Sequence, residues 1–222
     1  MPDWPQGDWL LLDAAGPVAA AGIVRDGQWL ARSLHEGEFL EWFQPAVREV
    51  LAARSQSLQD LSGVVCAGGP GSTLGLRLAA MFVRSLLTVP ALEHWKCYQY
   101  QNLEAGLLSL PENTSSRLRE AVAPWRRDRL HLARLLRKEP PAFSHGMLTM
   151  EENREGHPAG FILGRRPANQ WNNIAWRPFP LERLPGLLRA HPSLLRPTTE
   201  PAPYQAETAD FARWTAQRHS AP

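Results

Sequence analysis

Two apolar runs, Gly63–Ala67 and Leu76–Val89, are separated by Gly68-Gly69-Pro70-Gly71-Ser72-Thr73-Leu74-Gly75. The first run is short and rich in β-branched residues, so it reads as a buried strand. The second is long enough for a helix, and Pro90 stops it. A strand, a glycine turn and a helix in that order place the chain in the α/β class. The turn itself admits two readings. Glycines let a backbone approach an anion, and the following helix offers free N–H groups and the positive end of its dipole. The same residues serve equally well as a turn that needs positive φ angles and an N-cap at Ser72 or Thr73. The lysine of a P-loop is missing, and the glycine spacing is not the dinucleotide fingerprint. Gly69, Gly71, Ser72 and Thr73 are therefore candidates for an anion cradle, with a structural turn as the alternative.

Upstream, Trp9–Asp13 is a compact apolar run suited to a buried strand. Val18–Val24 continues in small and β-branched residues, and Asp26-Gly27 is a hairpin turn before Gln28–Ser33. From Glu38 to Arg54 the period becomes helical. Phe39, Trp42, Phe43, Ala46, Val47, Val50 and Leu51 form one apolar band, with Glu41, Arg48 and Glu49 off it. Pro45 either kinks this helix or marks its first turn. The second helix is apolar nearly all round, its charges being Arg77 and Arg84, seven residues apart. Such a helix is central in a core or shared with a partner.

Beyond residue 110 the character changes. Up to that point there are 7 Lys+Arg against 11 Asp+Glu and 6 prolines; after it, 17 against 11 and 14 prolines. The second half is basic, with Arg126, Arg127, Arg129, Arg134, Arg137 and Lys138 close together. That patch suits nucleic acid, an acidic protein face or plain solvation. Strands are expected at Arg129–Leu136 and Phe161–Gly164, and a short helix at Leu181–Ala190. Glu200–Tyr204 reads as an extended turn, and Ala206–Gln217 as a last helix. The expected division is 1–105, 106–199 and a tail, 200–222.

Several chemistries lack their residues. His35 and Glu36 begin a zinc-protease pattern, but position 39 is Phe where a second histidine is needed, and His94 with Cys97 makes no set. No Gly-x-Ser-x-Gly elbow occurs. Cys66 and Cys97 give no disulfide framework, and Cys66 in its apolar run reads as a buried thiol, so a reducing cytoplasm is expected. No stretch suits a membrane span. Asp13, at a strand end, is a lone carboxylate able to hold a metal or water. No cofactor and no metal site are expected.

The order of elements resembles the first lobe of the actin and sugar-kinase superfamily, and the chain is identified as a divergent member of the TsaB (YeaZ) family. That family opens on an apolar strand ending in Asp-Thr, here Leu10-Leu11-Leu12-Asp13-Ala14. Its motif Gly-Pro-Gly-Ser-Phe-Thr-Gly-Leu-Arg is matched here at Gly69, Pro70, Gly71, Ser72, Gly75, Leu76 and Arg77. A closing Glu-Pro-x-Tyr-Leu-Arg is echoed by Glu200-Pro201-Ala202-Pro203-Tyr204. Departures are Ala14 for the hydroxyl residue and Thr73-Leu74 for Phe-Thr. The resemblance implies an actin-like ATPase (ribonuclease H-like) fold with a complete first lobe and a reduced second one. It implies a non-catalytic partner of a TsaD-type subunit in tRNA threonylcarbamoyladenosine synthesis. A TsaE-type ATPase, a second copy of the chain, and tRNA at the basic half are further partners it suggests. Pairing in the family runs through the two first-lobe helices, which points to Phe39, Trp42, Phe43, Ala46, Arg77, Ala80, Met81 and Arg84. Rival readings are a small nucleotide-binding enzyme using Asp13 and the glycine turn, and a homodimer without the tRNA role.

Overall fold

In a computed structural model of the protein, the described residues are 6–37, 41–111, 119–126, 129–137, 140–149, 159–163, 171 and 174–204. The first sheet grows from β1 (Trp9–Asp13), whose five residues are all buried. It runs antiparallel to β2 (Val18–Arg25), which turns through Asp26-Gly27 into β3 (Gln28–Glu36). Asp26 at φ 49° and Gly27 at φ 76° supply the two positive angles that a two-residue hairpin with right-handed strand twist requires. On its other side β1 lies parallel to β4 (Gly63–Gly69), with Leu10 opposite Val64. Next comes β5 (Lys96–Gln101), parallel to β4, and at the edge the two-residue β11 (Arg196–Pro197), antiparallel to β5. The strand order is β11-β5-β4-β1-β2-β3. Central parallel strands are covered on both faces, which is why β1 and β4 are unbroken apolar runs.

One face is covered by α1 (Phe43–Ala53) and α2 (Thr73–Leu87). Leu10, Leu12, Ile23, Val64 and Cys66 meet Phe43, Val47, Val50, Ala79 and Val83 there. The rings of Phe43 and Phe82 stack with centroids 5.8 Å apart, so the two helices lie side by side. Pro45 is the third residue of α1, where its missing N–H costs nothing because the first helical N–H groups have no intrahelical acceptor. It marks the first turn and does not kink the helix. Trp42 precedes the helix, so the expected start at Glu38 is corrected to Phe43, and Phe39 lies outside the described residues.

The opposite face carries α3 (Asn102–Leu108) and α4 (Leu184–Ala190) and continues into a second sheet. That sheet comprises β6 (Arg119–Arg126), β7 (Arg129–Arg137), β8 (Ala142–Thr149), β9 (Ala159–Ile162) and β10 (Trp176–Pro178), in the order β10-β9-β6-β7-β8. Leu11, Val65 and Tyr100 from the first sheet, Leu103 and Leu107 from α3, and Ala121, Ala133 and Phe161 from the second share one core. A Cβ on Gly106 of α3 would stand 2.8 Å from the Phe161 ring, so the helix reaches the second sheet only because it has none. The second sheet's far face packs Val122, Leu130, Leu132 and Trp171. The Glu200–Tyr204 segment forms no helix or strand, and the expected helix at Ala206–Gln217 lies outside the described residues. Among the described residues no helix is long and apolar enough to cross a membrane.

Candidate functional site

Asp13 ends β1 fully inside the protein, 1% exposed. Its Oδ1 accepts the Ala15 N–H at 2.8 Å; its Oδ2 accepts the Tyr100 hydroxyl and the Asn102 side-chain amide, the latter at 2.8 Å. Burial pushes the Asp13 carboxyl above the usual carboxylate range, against the lowering effect of these three donors. Asn102 hands the network on, its Oδ1 accepting the Gly69 N–H at 3.2 Å. The glycine turn closes over the same point. Ser72 donates its N–H to the Ala15 carbonyl at 2.8 Å, and its Oγ caps α2 by accepting from the Gly75 N–H at 3.2 Å. A Cβ on Gly71 would meet the Ala15 carbonyl oxygen at 2.4 Å, so the two loops touch backbone to backbone. The Gly69–Pro70 peptide is cis. Three N–H groups that an anion cradle would present, those of Gly69, Ser72 and Gly75, are thus spent within the chain. Thr73, expected in the turn, is the first residue of α2. Among the described residues no group of three or more His, Cys, Asp or Glu is arranged to hold a metal ion.

The outward face of α2 is the second feature. Leu74 and Met81 are 63% and 65% exposed, seven residues apart on one side of the helix, and Arg77 and Arg84 lie on the same exposed side. Arg84 also ties this face to the Glu200–Tyr204 segment. Its Nε donates to the Pro201 carbonyl at 2.9 Å, and Nη2 lies 3.4 Å from Glu200. Three of the expected interface residues are corrected here. Phe43, Ala46 and Ala80 are buried in the chain, Phe43 and Ala46 because the apolar band of α1 already faces the sheet. Trp42 is partly buried and stacks on His35 with centroids 5.4 Å apart.

A third feature lies where the Glu200–Tyr204 segment meets both sheets. Tyr204 donates its N–H to the Gly68 carbonyl at 2.6 Å, and Gln99 holds the Ala202 carbonyl at 2.8 Å. The Tyr204 ring then packs against His131 and His145, at 5.8 and 5.7 Å. Beneath it, the Glu104 carboxylate of α3, 1% exposed, accepts from Arg196 Nη2 at 2.7 Å and pairs with His145 Nε2 at 2.7 Å. His131 is buried, and desolvation, assisted by the charge of His145, pushes its imidazole down to about 4.

That shift has a direct consequence for acid stability. The unfolded chain binds a proton at this imidazole near 6.5, whereas the folded chain resists until about 4. Stability therefore falls as pH drops from about 6.5 to about 4, by up to about 3 kcal/mol from this residue. Urea unfolding across that range should show a steeper loss for the wild type than for His131→Phe. Parallel curves would mean His131 is not the group responsible.

Residues 34–91 match a family model described as TsaD, tRNA N6-adenosine threonylcarbamoyltransferase. No curated protein matches the chain. Among solved structures, a Pseudomonas aeruginosa protein described as similar to peptidase YeaZ aligns at 17% identity and a TM-score of 0.65, over 91% of this chain and 100% of that one. YeaZ from Pseudomonas aeruginosa aligns at 17% identity and a TM-score of 0.63, over 90% and 100%. The chain has the YeaZ fold.

The expected α/β class is therefore present, in the YeaZ fold. In this YeaZ-like chain the segment matching the TsaD model runs from the end of β3 through α1, β4, the glycine turn and α2. Gly71 and Ser72 of that segment meet Ala15, which donates its N–H to Asp13, while Gly69 is linked to Asp13 through Asn102; Arg77, Met81 and Arg84 lie on one face of α2. Sequence reasoning missed Tyr100, Asn102, Glu104, His131, His145 and Arg196. The Glu-Pro-x-Tyr echo did mark Tyr204, though not the cleft it covers.

Proposed function

We propose that this chain is a non-catalytic partner of a TsaD-type subunit in tRNA threonylcarbamoyladenosine modification, docking through the outward face of α2. The observation that carries the reading is the pair of exposed apolar side chains, Leu74 and Met81, flanked by Arg77 and Arg84, within the segment that matches the TsaD model. Large apolar side chains left in water beside arginines suit a partner interface. The sealed contact between the Asp13 loop and the glycine turn supports a role without phosphate chemistry. A partner of this kind acts by binding the active conformation of its enzyme more tightly than the inactive one.

Co-expression with a TsaD-type protein tests the reading. The wild type should co-elute with it, and Leu74→Asp and Met81→Asp should each weaken the complex about a hundredfold. Both side chains are in water in the single chain, so neither change should alter its unfolding midpoint. Undiminished pairing in both variants would reject the α2 face. Tight Mg-ATP binding with turnover by the chain alone would favour the enzyme reading instead. In the basic stretch Arg134 is already paired with Glu120 at 2.6 Å, and tRNA contact joins the proposal only if binding falls steeply with salt.

A further inference from the structure

Residues 200–204 reach from the outward face of α2 to the second sheet. At the α2 end, Arg84 Nε donates to the Pro201 carbonyl at 2.9 Å, and Nη2 lies 3.4 Å from Glu200. In the middle, Gln99 of β5 donates its side-chain N–H to the Ala202 carbonyl at 2.8 Å. At the far end the Tyr204 N–H is bound to the Gly68 carbonyl, and the ring lies against His131 of β7 and His145 of β8. The run Glu200-Pro201-Ala202-Pro203-Tyr204 is stiff for a covalent reason. Each proline locks its own φ at about −65° and bars the residue before it from the α region. Four of the five residues therefore have little backbone freedom. A stiff segment held at three points passes a displacement from one end to the other, where a flexible one would absorb it.

What the segment delivers at α2 is a positioned guanidinium. A free arginine side chain gives up about 2 kcal/mol of rotamer freedom when it is fixed in an interface. Here the Pro201 carbonyl fixes Arg84 beforehand, so that cost does not fall on binding. The two contacts use Nε and one terminal nitrogen of a fork with five N–H donors, and the side chain is 44% exposed, so donors remain for a carboxylate from outside. Glu200 is no obstacle to it: at 77% exposed its ion pair is weak, and the side chain can swing into water. We infer that residues 200–204 are a positioning strap, holding Arg84 ready for a carboxylate of the docking partner and making that readiness depend, through Tyr204, on the second sheet. The carboxylate rests on the partner reading, whereas the link from Arg84 to Tyr204 belongs to the single chain. Linkage makes the effect reciprocal: a partner that docks on the held Arg84 tightens Tyr204 in its place.

Hydrogen exchange on the single chain is the first test. Arg84→Met should speed exchange at the Tyr204 amide about tenfold, while amides of β1 and β4 keep their wild-type rates. A Tyr204 amide that ignores the change at Arg84 would overturn the strap. The second test adds a TsaD-type protein. Tyr204→Ala and Arg84→Met should each weaken pairing about tenfold, and bound partner should slow wild-type exchange at Tyr204. The double variant separates positioning from general loosening: once Arg84 is replaced, Tyr204→Ala should cost no further affinity, whereas independent losses would multiply. Should Tyr204→Ala fail to fold, Gln99→Met, which removes the middle anchor, takes its place in the cycle. Multiplying losses, or Tyr204 exchange that the partner leaves unchanged, would reject the positioning role. If the wild type pairs with no TsaD-type protein, the partner reading fails, and the strap is judged on the single-chain exchange alone.

Discussion

Replacing Arg196 by methionine should lower the free energy of unfolding by about 3–5 kcal/mol, whereas Glu104→Gln should cost less than half as much. The asymmetry comes from exposure. Glu104 is 1% exposed, while the side chains of Arg196 and His145 are 50% and 23% exposed. Removing the arginine leaves a carboxylate deep in the protein with only His145 beside it, and an uncompensated buried charge is severely penalised. Removing the charge from Glu104 instead frees a guanidinium that can turn into water and an imidazole that can do the same in part. The three residues join α3, β8 and β11, so the pair also fastens the edge of the first sheet to the second. Urea unfolding at neutral pH, with the slope checked for two-state behaviour, measures both variants. Equal costs, or a larger cost for Glu104→Gln, would show that Arg196 does not neutralise a buried carboxylate.

The strands β1 and β4 of the first sheet were legible because central parallel strands are apolar on both faces. Trp9–Asp13 and the start of β4 needed no tertiary information, and Asp26-Gly27 announced its hairpin through the angles it tolerates. The strand β5 escaped because Lys96, Gln99 and Gln101 interrupt its short run, which is neither continuously apolar like β1 and β4 nor cleanly alternating. The helix α3 escaped because it spans only seven residues and buries Asn102 and Glu104, which read as polar in sequence but are satisfied by distant groups. In the second sheet β7 was read almost to its bounds as Arg129–Leu136, whereas Pro124 inside β6 and His145 and Gly146 inside β8 blurred the strand period. The apolar band of α1 was located from Phe43 to Leu51, yet periodicity cannot say what covers a band. The sheet covers Phe43 and Ala46, and the surplus is found on α2 at Leu74 and Met81. Asp13 was recognised as a candidate, but its surroundings come from Tyr100 and Asn102, 87 and 89 residues further along, and no local pattern announces such pairings.

Those distant partners allow a sharp test of what Asp13 does. Asp13→Ala should destabilise the chain by about 3 kcal/mol, because the Ala15 N–H, the Tyr100 hydroxyl and the Asn102 amide would all lose their acceptor in a buried place. Asp13→Asn should cost clearly less. Its carbonyl oxygen can still accept, and the charge that burial disfavours is gone. Because the folded carboxyl holds its proton to higher pH than the unfolded one at 3.8, protonation favours the folded state. The wild type should therefore gain on Asp13→Asn as pH falls toward that value and lose ground as pH rises through the raised folded value. A carboxylate poised to bind metal or orient water behaves in the opposite way: its removal usually relieves a strained site and leaves stability unchanged or higher. Thermal unfolding of the three proteins near pH 7 and near pH 5 separates the two roles. If Asp13→Ala melts at or above the wild-type temperature, Asp13 is not a structural pin and the nucleotide-binding reading regains its footing.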